Sequence, residues 1–196
     1  LYMNIKIDKR SQRTREALKK TLAQMMIKQN INDITIKNLV VLANINRSTF
    51  YLHYTDIFDL LQEMENDIIS QIQKVLDSYP SLSRAQSYSF VTDLISVFEA
   101  NRDSLKALMG YHGDAFFIQR MEDVIESKVR KQINLIYCFN KSIAPEYVYS
   151  FLRSGCIGML KTWIFSDCVT PPEEMAVFVY NTVHDIITRL IEDTSK

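Results

Sequence analysis

Residues 47 to 54 read RSTFYLHY, which puts a guanidinium, two hydroxyls, three aromatic rings and an imidazole into little more than two helical turns. The set is too polar for a core and too aromatic for a plain solvated surface. On a helix opening after Asn46, Phe50 and Tyr54 lie four residues apart and share a face. The rows Arg47/Tyr51, Ser48/Leu52 and Thr49/His53 then point away from it. This chemistry is recognition rather than bond making. A short protruding helix of this kind fits the DNA major groove, which admits one helix. Arg47 could reach guanine or phosphate, Ser48 and Thr49 base edges or phosphate, and Tyr51 and His53 phosphate oxygens, while Leu52 could meet a methyl group.

So short a helix is unstable alone and needs anchors. The Phe50/Tyr54 face can pack on Leu18 and Leu22 of a first helix (about 10–28) and on Leu39 and Ala43 of a second, capped by Thr35. Asn44-Ile45-Asn46 forms the turn between them, and Asn tolerates the left-handed backbone that such a turn demands. From Asp56 a long helix runs to about Tyr79, with Leu60, Leu61, Met64, Ile68, Ile72 and Leu76 in one stripe and Pro80 as its stop. Further helices are expected over 84–100, 102–110, 114–140, 146–165 and 172–193. The fold class is all-α, with about nine helices: a three-helix helix-turn-helix head followed by a helical body.

Bulk properties agree. The 196 residues are 47% hydrophobic, with only four Gly and four Pro, which argues against a β-sandwich or barrel. The most apolar stretch, 157–165, is split by Lys161, so no membrane span is expected, and the first ten residues lack the apolar middle of a secretion signal. Cys138, Cys156 and Cys168 are spaced for neither zinc nor a disulfide framework, which points to a reduced, cytoplasmic protein. Formal net charge is zero, yet residues 1–55 hold ten Lys/Arg against three acids. A basic head on an acidic body suggests that the head meets a polyanion, although a solvated basic helix would look the same.

The block TIKNLVVLANINRSTFYLHYTDIFDLL over residues 35–61, behind a basic first helix, resembles the tetracycline-repressor (TetR) family of bacterial transcription regulators. Its most specific part is TFYxHY at 49–54 followed by DLL at 59–61, and the likeness spans residues 10 to about 65. The resemblance implies a DNA-binding domain at 8–66 and a regulatory, dimerising domain at 67–196. Its DNA-contacting positions fall on Thr35, Lys37, Arg47, Ser48, Thr49, Tyr51, Leu52 and His53. Two departures stand out. Asn44 replaces the usual turn Gly, and Ile57 stands where the family commonly has a phosphate-binding Lys, between acids at 56 and 59. The body is similar to a branch that includes regulators of dihydroxyacetone metabolism.

Ser154, Gly155 and Gly158 form a patch of small residues inside a helix, which suggests close packing. Phe178, Val179, Val183, Ile186, Ile187 and Leu190 give the last helix more apolar girth than one neighbour can bury. The resemblance implies a four-helix homodimer interface here, from Ser154, Gly155, Gly158, Phe178, Val179, Val183, Ile186 and Ile187. A two-fold dimer is also what a palindromic operator requires. Phe90, Phe98, Met109, Tyr111, Phe117, Met121 and Tyr137, with His112 as a polar handle, are candidates for the pocket of a small-molecule effector. At helical spacing such residues more often fill a core.

Three scattered His and the absence of H-E-x-x-H, C-x-x-C, G-x-S-x-G or phosphate-loop patterns offer no enzyme, metal site or cofactor. The expectation is a homodimeric regulator, a repressor in the first instance, that binds a double-stranded operator and is released by an effector. The alternative is a protein-binding co-regulator or activator that keeps the same fold, favoured by Ile57 and its flanking acids.

Overall fold

The computed structural model describes residues 9–80, 84–136 and 145–192. Among them are nine α-helices and no strand: α1 (Lys9–Met26), α2 (Ile36–Leu42), α3 (Arg47–Tyr51), α4 (Ile57–Ser78), α5 (Arg84–Ala100), α6 (Arg102–Met109), α7 (Ala115–Ile136), α8 (Pro145–Phe165) and α9 (Pro172–Glu192). The all-α expectation holds. The chain divides into two compact units, residues 1–67 with 103–115, and residues 68–102 with 116–196.

In the first unit α1 is polar over its early turns and buries Leu18, Leu22, Ala23, Met25 and Met26. A single 3-10 turn at Ile31–Asp33, which periodicity does not reveal, leads into α2. The Thr35 hydroxyl accepts from the Asn38 amide at 3.2 Å and caps α2 as expected. At the other end of α2, Ile45 N–H donates to Val40 O at 2.9 Å and Asn44 N–H to Val41 O at 3.2 Å. This is the Schellman closure, which demands a left-handed residue, and Asn44 supplies it with φ 54°. The chain is thereby turned directly into α3. The same unit takes in residues 103–115, where α6 buries Leu105, Ala107, Leu108 and Met109. Behind α6, Gly113 lies so close to the helix end that a Cβ would sit 2.0 Å from Leu108 O.

In the second unit the remainder of α4 buries Ile68, Ile72 and Leu76, and α5 packs along α9. The Tyr88 ring meets Tyr180 edge-on at 5.7 Å, and Tyr180 stacks on His184 at 5.7 Å. Helices α7 and α8 are tied by Arg153 to Glu126 at 3.2 Å and by Arg130 lying 4.6 Å from the Tyr149 ring centroid. Tyr149 and Ile187 form a small core with Val129, Leu152 and Val183. Helix α8 ends in two left-handed residues, Asp167 and Cys168, whose amides return to Ile164 O and Trp163 O. The Trp163 indole donates to Thr170 O at 2.8 Å and holds the loop ahead of Pro171 and Pro172.

Candidate nucleic-acid interface

Phe50 and Tyr54 are both buried, their ring centroids 5.7 Å apart, and Leu18, Leu22 and Leu39, expected to pack with them, are buried too. Ala43, grouped with them from the sequence, is half-buried as the C-cap of α2. With its anchors inside, α3 turns Arg47, Ser48, Tyr51 and Leu52 outward, and Leu52 is 80% exposed. Thr49 and His53 are half-buried on the flanks, His53 tilted against Tyr54 at 6.2 Å. The Arg47 guanidinium donates to the Tyr51 hydroxyl at 3.1 Å and lies 5.6 Å from its ring centroid. Lys37 and Thr35 are exposed at the start of α2. The Thr35 oxygen already caps that helix, but its O–H can still donate outward.

The opening of α4 explains the two acids that stood out in the sequence. Asp56 accepts the Asp59 amide at 2.8 Å, and Asp59 accepts the Thr55 amide at 2.9 Å and the Thr55 hydroxyl at 3.3 Å. Both carboxylates satisfy backbone donors that the helix start leaves open. Ile57 between them is buried, so position 57 turns inward and offers no phosphate contact.

The charge picture also shifts. Lys19 pairs with Glu63 at 2.6 Å and closely with Asp67, and Arg15 reaches the other Glu63 oxygen at 3.4 Å. The Tyr54 phenol is held protonated to unusually high pH, first by burial and then by the neighbouring Glu63 carboxylate. Among the described residues its hydroxyl makes no hydrogen bond of good geometry. With the acids of α4 and of 103–115 included, the first unit carries eleven Lys/Arg against ten Asp/Glu. The basic excess of residues 1–55 is therefore almost balanced within the unit that contains them. Sequence proximity hid this, because the balancing acids follow the basic stretch along the chain.

A family model described as "Transcriptional regulator C-terminal region" (TetR_C_8) matches residues 85–185. The chain belongs to the TetR family of transcriptional regulators. Among its curated relatives is an uncharacterized HTH-type transcriptional regulator, YxbF, of Bacillus subtilis (strain 168). The two are 45% identical over 174 residues, 87% of this chain but 44% of that protein, so the chain spans less than half its relative's length. A solved TetR transcriptional regulator from Streptococcus agalactiae 2603V shares the fold with TM-score 0.60 and 24% identity, covering 90% of this chain and 96% of that one. NalD, the secondary repressor of the MexAB-OprM multidrug efflux pump in Pseudomonas aeruginosa, matches at TM-score 0.64 and 15% identity over 90% and 98%. The dihydroxyacetone kinase operon activator DhaS matches at 0.59 and 16% over 91% and 98%. At these identities the solved structures speak for the fold alone.

In this TetR-family chain the residues expected at a dimer face divide. Ser154, Gly155, Gly158 and Phe178 are exposed, and a Cβ at either glycine would meet nothing within 4 Å. Tyr147 and Phe151 extend the same apolar exposure along α8. Val179 and Ile186 are half-buried, and Ile186 lines a shallow apolar groove with Tyr147, Val148, Phe151 and Arg189. Ile187 is turned inward, 4% exposed, with Val183 packed beside it in the chain's own core. The apolar stripe of α9 is wide enough to leave open which of its sides faces Tyr149, so these two residues do not stand at the outer face expected for them.

The expected pocket set divides as well. Phe90, Phe98, Phe117 and Met121 are core residues of the second unit, and Met109 is buried in the first. Tyr111 is 98% exposed, its ring edge-on to His112 at 4.9 Å, and so is not enclosed by the described residues. Tyr137 and Cys138 lie outside the described residues. Cys156 is half-buried and its thiol pKa is raised by burial, the opposite of what a reactive thiolate needs. Among the described residues there is no cluster of three His, Cys, Asp or Glu that could hold a metal, and no helix long and apolar enough to cross a membrane.

Proposed function

We propose that this TetR-family regulator binds a palindromic double-stranded operator as a homodimer, as a repressor, in the cytoplasm. The observation that carries the reading is α3. Its apolar face is locked inside by Phe50 and Tyr54, which leaves Arg47, Ser48, Tyr51 and Leu52 outward on a rigid mount. Thr49 and His53 flank that row, and Thr35 and Lys37 stand exposed at the start of α2 to position the head on the phosphates. DNA binding is assigned to residues 8–66, and dimerisation and regulation to 67–196. The dimer reading rests on the exposed small patch Ser154, Gly155 and Gly158 on α8, with Phe151 exposed on the same helix and Phe178 exposed on α9. A dimer would set two α3 helices on half-sites about 34–36 Å apart. A small-molecule effector would release the operator by favouring one of the dimer's conformations.

Selection of duplexes from a random-sequence library tests the proposal. The expected result is an enriched inverted repeat bound by the wild type and lost by Arg47→Ala. Recovery of no sequence preference would overturn it. A second reading, a co-regulator acting through protein contacts, is favoured by the near-neutral charge of the first unit and by exposed Val41 and Leu42 on α2. That selection separates the two.

A further inference from the structure

The ion pairs between α1 and α4 bear on how the head tells one DNA sequence from another. Lys19 sits between the carboxylates of Glu63 and Asp67, its side chain only 17% exposed, and Arg15 takes the remaining Glu63 oxygen. The cations at Arg13, Lys20, Lys28 and Lys37 have no such carboxylate among the described residues. A Lys or Arg strengthens DNA binding by displacing counterions condensed on the phosphates, and this attraction is blind to sequence. A cation already held by a carboxylate exchanges one anionic partner for another on reaching a phosphate, so its net contribution to phosphate binding is reduced, less for Arg15, whose side chain is 46% exposed, than for Lys19.

We propose that Glu63 and Asp67 are specificity-setting positioning residues, whose carboxylates compete with the DNA phosphates for Lys19 and Arg15 and withhold two cations from sequence-independent binding. The inference rests on the DNA-binding reading above and adds a discriminating device to it. Acting through Lys19 and Arg15, the two acids lower the background on which α3 must compete and leave the α3 row itself untouched. Their placement suits that role. Both pair with cations of α1, and Glu63 also lies beside the buried Tyr54 phenol that anchors α3 rather than beside its exposed row, where a negative charge would weaken operator and background binding alike.

The test uses the full chain and a mixed-sequence duplex, with log K measured by fluorescence anisotropy against log[salt] from about 50 to 200 mM. Lys37→Gln should lower the slope by about 0.9, the loss of one phosphate contact. Arg15→Gln with Lys19→Gln should leave the slope unchanged. Glu63→Gln with Asp67→Asn should steepen it by about 1 to 2. The steepening should vanish when all four substitutions are combined, a variant with the wild-type net charge. A slope lost on removing Arg15 and Lys19 from the wild type would overturn the proposal, as would steepening that persists in the fourfold variant. Thermal melts run alongside, because a purely structural role for the pairs moves the melting temperature and not the slope. Should the acid variants fail to fold, the Arg15/Lys19 pair still decides. Absence of any wild-type binding to duplex DNA would sink the DNA-binding reading itself, an outcome distinct from a measurable slope that ignores these residues.

Discussion

The Arg47 guanidinium donates to the Tyr51 hydroxyl at 3.1 Å, one helical turn along α3, and partly covers its ring. Both side chains are exposed, so the contact orders the outward row and spends little of its hydrogen-bonding capacity. Arg47 keeps four further N–H donors for a base or phosphate. Arg47→Ala is expected to weaken operator binding by about 1–3 kcal/mol, and Tyr51→Phe by about 1 kcal/mol. Neither should move the melting temperature measurably. Anisotropy titrations on the selected duplex, paired with melts, check both statements.

At the start of α4, Asp56→Ala removes the acceptor of the Asp59 amide and should cost about 1 kcal/mol in urea unfolding. Ile57→Lys, which restores the residue common in the family, should cost more, because a lysine would enter a buried position. If that variant instead folds with full stability and binds DNA with a steeper salt slope, Ile57 lies on the DNA face after all.

Gly113 is required by close approach. A Cβ there would stand 2.0 Å from Leu108 O and 2.5 Å from Leu108 C, both backbone atoms that cannot swing aside. Gly113→Ala should therefore destabilise the chain by about 2 kcal/mol or more. Urea denaturation reads it directly, and a neutral result would mean the loop behind α6 can move.

Gly155 and Gly158 behave in the opposite way. With open space around both in the chain, Gly155→Ala should raise helix stability by up to about 1 kcal/mol. Gly155→Leu with Gly158→Leu should leave the protomer folded yet weaken its self-association at least tenfold in sedimentation equilibrium. Unchanged association would remove this patch from the dimer interface.

The end of α8 carries avoidable strain. Asp167 and Cys168 hold φ of 60° and 54°, a region that costs a side-chain-bearing residue about 1 kcal/mol. Cys168→Gly should keep the turn and stabilise the chain by about 0.5–1 kcal/mol, provided that little packing is lost with the thiol. Thermal unfolding of the variant checks the sign.

The sequence by itself determined whatever short-range physics controls. The 3.6-residue period separated Phe50 and Tyr54 from the Arg47/Tyr51 row, Thr35 announced its cap, and Asn44 announced a left-handed turn. Nearly every helix was legible in the same way, because period, caps and breakers act within a few residues. Tertiary structure decided which of several equivalent groups meet. Lys19 and Glu63 are 44 positions apart, and no local rule favours that acid over its neighbours on α4. Ile187 faces Tyr149 rather than outward, residues 103–115 join the first unit, and Asp56 and Asp59 serve backbone amides rather than opposing phosphate. These outcomes depend on how separate helices are rotated against one another, and a periodic pattern fixes a stripe without naming its partner.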